Sequence, residues 1–115
     1  MDFLEYQRGA RSTAIYRNQE EAIFCTLMGL NGEAGEVAEK FKKLVRDGKN
    51  GLADLAQIPP ETKVEIVKEL GDVLWYVSVL ADYLGISMED VAQRNLSKLK
   101  SRFDRGQIQG SGDNR

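Results

Sequence analysis

Apolar residues recur at alternating spacings of three and four positions along two long stretches of the chain, which predicts two amphipathic α-helices. The first stretch runs to Arg46, and its apolar positions are Ile23, Leu27, Leu30, Ala34, Val37, Phe41 and Leu44. The second follows Pro59-Pro60, and its apolar positions are Val64, Val67, Leu70, Leu74, Val77, Ala81 and Leu84. Trp75, Val79 and Tyr83 widen the apolar surface of the second stretch, so we expect that helix to be buried on more than one side.

Two shorter periodic stretches flank this pair and complete an all-α, four-helix bundle-type fold. Residues 2 to about 17 carry one apolar face, formed by Phe3, Tyr6, Ala10 and Ala14. A last helix after Ser87 packs through Val91, Ala92, Leu96, Leu99 and Phe103. A helix with two apolar faces in so short a chain predicts self-association.

Capping residues and glycines predict the helix boundaries. Asn18 and Ser87 are suitable N-caps, and each is followed by acids in the first helical turn. We expect glycines to end the last three helices, with Gly48 as a C′ residue and with Gly85 and Gly106 further on. The connector after Gly48 contains Leu52, Leu55 and Ile58, which suggests a short turn of helix over the core.

Acidic side chains form a row beside each long apolar seam. Glu33 and Glu36 lie three residues apart in the first long helix, as do Glu69 and Asp72 in the second. On an α-helix this spacing projects both carboxylates to one side, so all four acids are expected to converge where the helices face one another. Unpaired carboxylates beside an apolar core are costly unless a cation compensates them. Oxygen-only ligands predict Mg²⁺, with Mn²⁺ as a substitute, next to a phosphorylated substrate.

Composition excludes several classes of function. The 16 basic and 18 acidic residues give a formal charge of −2, which offers no general attraction to nucleic acid or to a membrane surface. No apolar run approaches the length of a membrane span, and the single cysteine, Cys25, suits a cytoplasmic protein. The chain has no histidine, which rules out catalytic triads based on histidine and histidine-ligated metal sites.

The length fits one domain, which we assign to residues 1–106. Residues 107–115 are polar and rich in glycine, and composition alone predicts a frayed tail. The end of the last helix is basic, with Lys98, Lys100, Arg102 and Arg105.

Several motifs together resemble a known family. They are Glu33-x-x-Glu36 within Gly29-Leu30-x-Gly32-Glu33-Ala34-Gly35-Glu36, then Glu69-x-x-Asp72 within Glu69-Leu70-Gly71-Asp72-Val73-Leu74-Trp75-Tyr76, then Lys98-Leu99-x-x-Arg102, and the closing Gly110-Ser111-Gly112-Asp113-Asn114-Arg115. This set resembles the MazG-type all-α nucleoside triphosphate pyrophosphohydrolases, which are relatives of the dimeric dUTPases. The resemblance extends over nearly the whole chain.

The resemblance implies hydrolysis of a nucleoside triphosphate, preferably a deoxynucleotide, between its α and β phosphates to give the monophosphate and pyrophosphate. It also implies a homodimer or a dimer of dimers. Mg²⁺ held by Glu33, Glu36, Glu69 and Asp72 would activate a water molecule. Because histidine is absent, a carboxylate must orient or deprotonate that water, and we assign this role to Glu36.

Substrate contacts are expected outside the acidic set. Lys40, Lys98 and Arg102 are candidates for binding the pyrophosphate portion, although Lys40 could instead form an i, i+4 ion pair with Glu36. Tyr76 lies one turn after Asp72 and is expected to pack on the sugar, while Tyr16 could approach the base. The resemblance alone adds Gln7 and Arg11 as nucleoside contacts.

Two alternatives remain open at this stage. Phosphoribosyl-ATP pyrophosphohydrolase resembles the same family in fold and motif. A helical interaction module without catalytic activity would use the acids only for solubility. The phosphoribosyl-ATP enzyme would break the same type of phosphoanhydride bond in a different substrate. An interaction module would release no pyrophosphate.

Overall fold

The computed structural model describes residues 1–115 and is all-helical, as predicted. The elements in chain order are α1 (Phe3–Ser12), α2 (Gln19–Asp47), a 3₁₀ helix (Gly51–Ala56), α3 (Pro60–Tyr83) and α4 (Met88–Asp104). None of these helices is both long enough and apolar enough to span a lipid bilayer.

The predicted N-caps are confirmed. The side chain of Asn18 accepts a hydrogen bond of 2.8 Å from the backbone N–H of Glu21, and Ser87 Oγ accepts one of 3.0 Å from Asp90. Gly85 and Gly106 follow α3 and α4 in the left-handed backbone region, with φ of 71° and 67°. These four helix boundaries therefore follow from local sequence, as capping rules require.

The first helix is shorter than predicted, because it ends at Ser12 rather than near residue 17. Hydroxyl groups bind the carbonyls at its end: Ser12 Oγ donates to Gly9 O at 2.7 Å and Thr13 Oγ1 donates to Ala10 O at 2.8 Å. Such side chains compete with the next helical turn for these acceptors. Residues 13–18 then form a non-helical connector.

Gly48 also departs from the prediction, since it is the C-cap residue of α2 with φ −76° rather than a left-handed C′ residue. Its lack of a side chain serves a close approach instead. A Cβ at this position would overlap the carboxylate of Asp54 in the 3₁₀ helix. The expected turn of helix in the connector is confirmed as this 3₁₀ helix, which packs against α2.

The two long helices are antiparallel and form the main interface of the fold. Gln19 near the start of α2 donates a hydrogen bond to Tyr83 O at the end of α3, and Lys40 further along α2 reaches Glu69. Small side chains allow the closest approach, because Ala22 and Thr26 of α2 and Ser78 and Val79 of α3 are fully buried. This antiparallel pairing brings the acidic rows of both helices to the same level.

The other helices pack at one end of this pair. α1 contacts α3 and α4, while α4 contacts α1 and α3 but not α2. The side chain of Gln7 joins these elements: Nε2 donates to Ile86 O at 2.9 Å and Oε1 accepts from the N–H of Met88 at 3.0 Å. Gln7 therefore fixes the turn between α3 and α4.

The predicted burial of α3 on more than one side is not achieved within one chain. Val64, Val67 and Leu70 are half exposed or more, and so are Leu96 and Phe103 of α4. The radius of gyration is 17.3 Å, whereas about 13 Å is usual for a compact domain of this length. The four predicted helices are present, but a single chain does not close them into a bundle.

Candidate active site

Three carboxylates converge where α2 and α3 face one another. One carboxylate oxygen each from Glu33, Glu69 and Asp72 lies within 4.8 Å of the other two. Glu69 and Asp72 share a side of α3 through their three-residue spacing, and Glu33 comes from the facing side of α2. Glu33 and Glu69 are half-buried, while Asp72 is exposed and keeps the cluster open to solvent.

The electrostatics of this cluster disfavour three negative charges. The pKa of the Glu33 carboxyl is raised by desolvation first, and then by the charges of Asp72, Glu69 and Glu36. A divalent cation would reverse that repulsion. Oxygen ligands at about 2.1 Å from Mg²⁺ lie at most about 4.2 Å apart, so small side-chain rotations would let these three residues hold the ion.

Glu36 lies outside the group of three. It is exposed, one helical turn beyond Glu33, and its charge contributes to the raised pKa of Glu33. The structure thus brings three of the four predicted ligands together and leaves Glu36 at the rim of the cluster. That position is compatible with a fourth ligand or with a group that orients water.

Lys40 crosses to the opposite helix. Its Nζ lies 3.0 Å from Oε1 of Glu69 and 3.9 Å from Oε2 of Glu65, and no ion pair with Glu36 forms. The alternative interpretation of Lys40 as an i, i+4 partner of Glu36 is therefore wrong. The hydrogen bond to Glu69 raises the pKa of Lys40, so its ammonium group is a permanent cation beside the acidic cluster.

A cavity of about 310 Å³ opens next to Lys40. Its walls carry both charge signs, because it is lined by Lys40, Lys43, Leu44, Glu61, Thr62 and Glu65. The cavity therefore continues the polar surface of the acidic cluster toward the carboxyl end of α2.

Tyr76 is held against the backbone of α2. A Cβ at Gly29 would overlap the Tyr76 ring, so this glycine permits the close packing. On its other side the ring meets Trp75 edge to face, with centroids 5.0 Å apart. The indole of Trp75 donates a hydrogen bond of 2.8 Å to Thr13 Oγ1. Tyr76 thus has a fixed position one turn beyond Asp72.

Tyr16 and Arg11 gather around Tyr83. The rings of Tyr16 and Tyr83 are 6.1 Å apart, and the Arg11 guanidinium lies 4.2 Å from the centroid of the Tyr83 ring. Arg11 also forms an ion pair of 3.0 Å with Asp82. Burial raises the pKa of Tyr16, and the neighbouring Tyr76 raises it further.

Gln7 has no amide group left for a ligand. It is buried, and both ends of its carboxamide are bonded to the α3–α4 turn. The position of Gln7 is therefore explained by its role in the fold.

Lys98 and Arg102 lie on α4, which does not contact α2, the helix that carries Glu33. Within one chain neither forms an ion pair with the acidic cluster, and both pair with Asp113 instead. Arg102 is buried because residues 107–115 fold back over it, and its Nη2 donates to Asp113 O at 2.7 Å. The prediction of a frayed tail is wrong, because side chains of α4 bind the tail backbone.

Tyr6 lies near the cluster, although the sequence predicts only that it packs on the apolar face of α1. Burial and the charge of Asp72 raise the pKa of its phenol. With Phe3 and Leu74 it also lines a cavity of about 360 Å³. Its place on the face of α1 that meets α3 is the only signal in the sequence, and that signal indicates packing as readily as function.

Comparison with known proteins identifies relatives along most of the chain. Residues 24–106 match the family model described as the MazG nucleotide pyrophosphohydrolase domain. The Gene 37 protein of Mycobacterium phage L5 is 50% identical over 96% of both chains. The uncharacterized protein YvdC of Bacillus subtilis (strain 168) is 35% identical over 63% of this chain and 67% of its own length. No solved structure matches the chain.

Proposed function

Because the chain belongs to the MazG nucleotide pyrophosphohydrolase family, we propose that it hydrolyses nucleoside triphosphates, preferably deoxynucleotides, to the monophosphate and pyrophosphate. The convergence of Glu33, Glu69 and Asp72 from two helices is the observation that carries this proposal. Such a cluster is unfavourable by itself and favourable around a divalent cation.

The proposed cofactor is Mg²⁺, with Mn²⁺ as a substitute. Glu33, Glu69 and Asp72 would hold it, with Glu36 as the fourth carboxylate at the rim. When bound, the ion neutralises phosphate charge and increases the acidity of water. Glu36 is exposed and close to these ligands, so it can accept the proton of the attacking water, as the general base must.

Substrate binding would use the groups around the cluster. Lys40 forms an ion pair with Glu69, and a triphosphate beside the cluster would offer this ammonium group a stronger anion. The ring of Tyr76, fixed against Gly29, would stack on the sugar, and Tyr16, which packs on Tyr83, would contact the base. Arg11 lies behind them, on Tyr83.

Self-association is part of the proposal. The half-exposed apolar faces of α3 and α4 suit an interface with a second copy, as a dimer or a dimer of dimers. A second copy could also supply Lys98 and Arg102 to the pyrophosphate end of the site. The expected compartment is the cytoplasm, where nucleotides are available.

A product assay tests the function. The protein is incubated with each ribo- and deoxynucleoside triphosphate, and separately with phosphoribosyl-ATP, in Mg²⁺ and in EDTA. Monophosphate, pyrophosphate and orthophosphate are quantified separately. We expect monophosphate and pyrophosphate in equal amounts, only with the metal ion. Orthophosphate as the first product, or no product from any nucleotide, would contradict the proposal. Selective cleavage of phosphoribosyl-ATP would show that this compound is the substrate instead of a nucleoside triphosphate.

A further inference from the structure

The last residues of the chain, 107–115, form a folded C-terminal segment. Arg105 Nη2 donates to Arg115 O at 2.9 Å, and the Arg115 guanidinium turns back to donate to Gln107 O and Ile108 O at 3.3 and 3.2 Å. Gly110 and Gly112 have φ of 117° and 84°, values that favour glycine. The segment is therefore a specific loop closed by arginine side chains.

The loop places the carboxylate of Asp113 beside two basic side chains of α4, Lys98 and Arg102. Asp113 Oδ1 lies 3.3 Å from Arg102 Nη2 and 3.5 Å from Lys98 Nζ. Lys98 and Arg102 are four residues apart, so they project from the same side of the helix. One negative group thus bridges the two cations to which the proposed function assigns the pyrophosphate portion of the substrate.

We propose that the Asp113 carboxylate is a built-in competitor that occupies the Lys98–Arg102 anion site until a phosphate group displaces it. This inference rests on the proposed function, because it takes phosphate as the ligand of Lys98 and Arg102. It adds a regulatory role for the C-terminal segment, which must yield the anion site before substrate can use it.

Two observations make the carboxylate displaceable while the segment stays in place. The shortest bond of Arg102 to the segment, 2.7 Å, goes to the main-chain carbonyl of Asp113 and not to its carboxylate. The Asp113 side chain is 85% exposed, and exposed ion pairs contribute little free energy. Loss of the carboxylate contact therefore leaves the main-chain and Arg115 bonds intact.

Arg102 also has an unused donor. Its side chain is only 6% exposed, yet its Nε is buried without a hydrogen-bond partner. A phosphate carries more charge and more acceptor oxygens than a carboxylate, and it can accept from a guanidinium through two bonds at once. The hydrogen bond from Arg102 and the charge of Lys98 lower the pKa of Asp113, so the competitor is negatively charged at neutral pH.

The test is the affinity for inorganic pyrophosphate, measured by calorimetry at neutral pH and low salt with EDTA. Without a divalent cation the acidic cluster repels this ligand, so binding reports on the cations alone. The full-length variant Asp113→Asn should bind pyrophosphate roughly two- to five-fold more tightly than wild type, the range expected for losing an exposed competing ion pair. Lys98→Gln should bind it more weakly than wild type.

Asp104→Asn is the matched control. It removes the same charge from the same end of α4, but Asp104 pairs with Lys100 at 2.8 Å and touches neither cation of the anion site. Pyrophosphate affinity in this variant should equal that of wild type. Equal gains in both aspartate variants would reduce the effect to net charge and overturn the inference.

Unchanged or weaker binding in Asp113→Asn would also overturn it, because the segment would then position the cations rather than compete for them. Tryptic cleavage after Arg105 reports whether the segment has detached; even if it has, competition predicts tighter binding and positioning predicts weaker binding. Nucleotide hydrolysis separates the two proposals. If Asp113→Asn binds no better while wild type still releases pyrophosphate from nucleotides, only the competition fails.

Discussion

Glu33 is a carboxylate whose surroundings oppose its charge. Its pKa is raised by burial and by three neighbouring acids, whereas the pKa of Glu39, on the same helix, is lowered by its hydrogen bond to Lys42. The two residues therefore make opposite contributions to the stability of the metal-free protein. The raised pKa of Glu33 is consistent with the proposed metal site, whereas the lowered pKa of Glu39 is that of an ordinary surface ion pair.

Replacing Glu33 by Gln should stabilise the metal-free protein at pH 7, because it removes repulsion from the cluster. The gain should be at most about 1 kcal/mol, since the site is partly solvated. Added Mg²⁺ should raise the melting temperature of wild type but not that of Glu33→Gln, because the ion binds only the folded site. Thermal unfolding in EDTA and in Mg²⁺ measures both effects.

Glu39→Gln is the control for that experiment. It should not stabilise the metal-free protein, and it should keep the full response to Mg²⁺. The account would be contradicted if Mg²⁺ stabilised both variants equally.

At the residue scale, roles set by local spacing could be predicted and roles set by distant partners could not. The three-residue spacing of Glu69 and Asp72 was sufficient to predict a shared side of α3. In contrast, the side chain of Gln7 donates hydrogen bonds to carbonyl groups more than 70 positions away in the sequence. Lys40 pairs with Glu69 on the opposite helix and not with Glu36, which is nearer in the sequence. No local pattern encodes such choices, because they depend on how the helices pack.

At the scale of elements, a substitution at Gly29 of α2 separates the effect of packing against Tyr76 from the effect of helix propensity. Gly29→Ala would force its Cβ into the Tyr76 ring, and overpacking of this kind costs about 1–3 kcal/mol. The displaced ring should also weaken nucleotide binding, which would appear as a raised KM. Urea unfolding and steady-state kinetics measure the two effects.

Gly9→Ala provides the comparison, since nothing lies within 4 Å of a Cβ at that position in α1. Helix propensity alone predicts that it stabilises the protein by up to about 1 kcal/mol. If Gly29→Ala behaved like Gly9→Ala, the close packing of Tyr76 on α2 would be refuted.

Helix starts were predictable from single capping residues, whereas two of the ends were not. Asn18 and Ser87 bond to the backbone three residues on, a relation visible in sequence. The early end of α1 depends on the hydroxyl groups of Ser12 and Thr13, and such residues also occur inside longer helices. The need for glycine at position 48 depends on the side chain of Asp54 in the next element. The fold of the C-terminal segment likewise depends on hydrogen bonds from Arg102 and Arg115. In the sequence, two arginines near a chain end indicate only a polar surface.

At the scale of the whole molecule, apolar surface decides the state of association. Val67 of α3 is 66% exposed and Phe103 of α4 is 74% exposed, and several large apolar side chains of this exposure are typical of an interaction surface. The sequence predicted that this surface would be buried, and the single chain leaves it open. We propose that a second copy of the chain covers it.

Sedimentation equilibrium should therefore give a mass of two or four chains rather than 12.9 kDa. Leu96→Lys places a charge in the exposed apolar face of α4 and should shift the protein toward the monomer. Ser97→Lys introduces the same charge at the next position, an exposed polar residue about 100° further round the helix, and it should leave the mass unchanged. A wild-type monomer at micromolar concentration would contradict the proposed assembly.

We propose that acids from two helices act together on a nucleoside triphosphate. The most direct test of this proposal is pyrophosphate release in Mg²⁺ by Asp72→Asn, beside wild type and Glu39→Gln, with helical content checked by circular dichroism. We expect Asp72→Asn to lose at least roughly 100-fold in rate with its helices intact, and Glu39→Gln to keep the wild-type rate. Undiminished pyrophosphate release by Asp72→Asn would show that the convergent acids are not the active site.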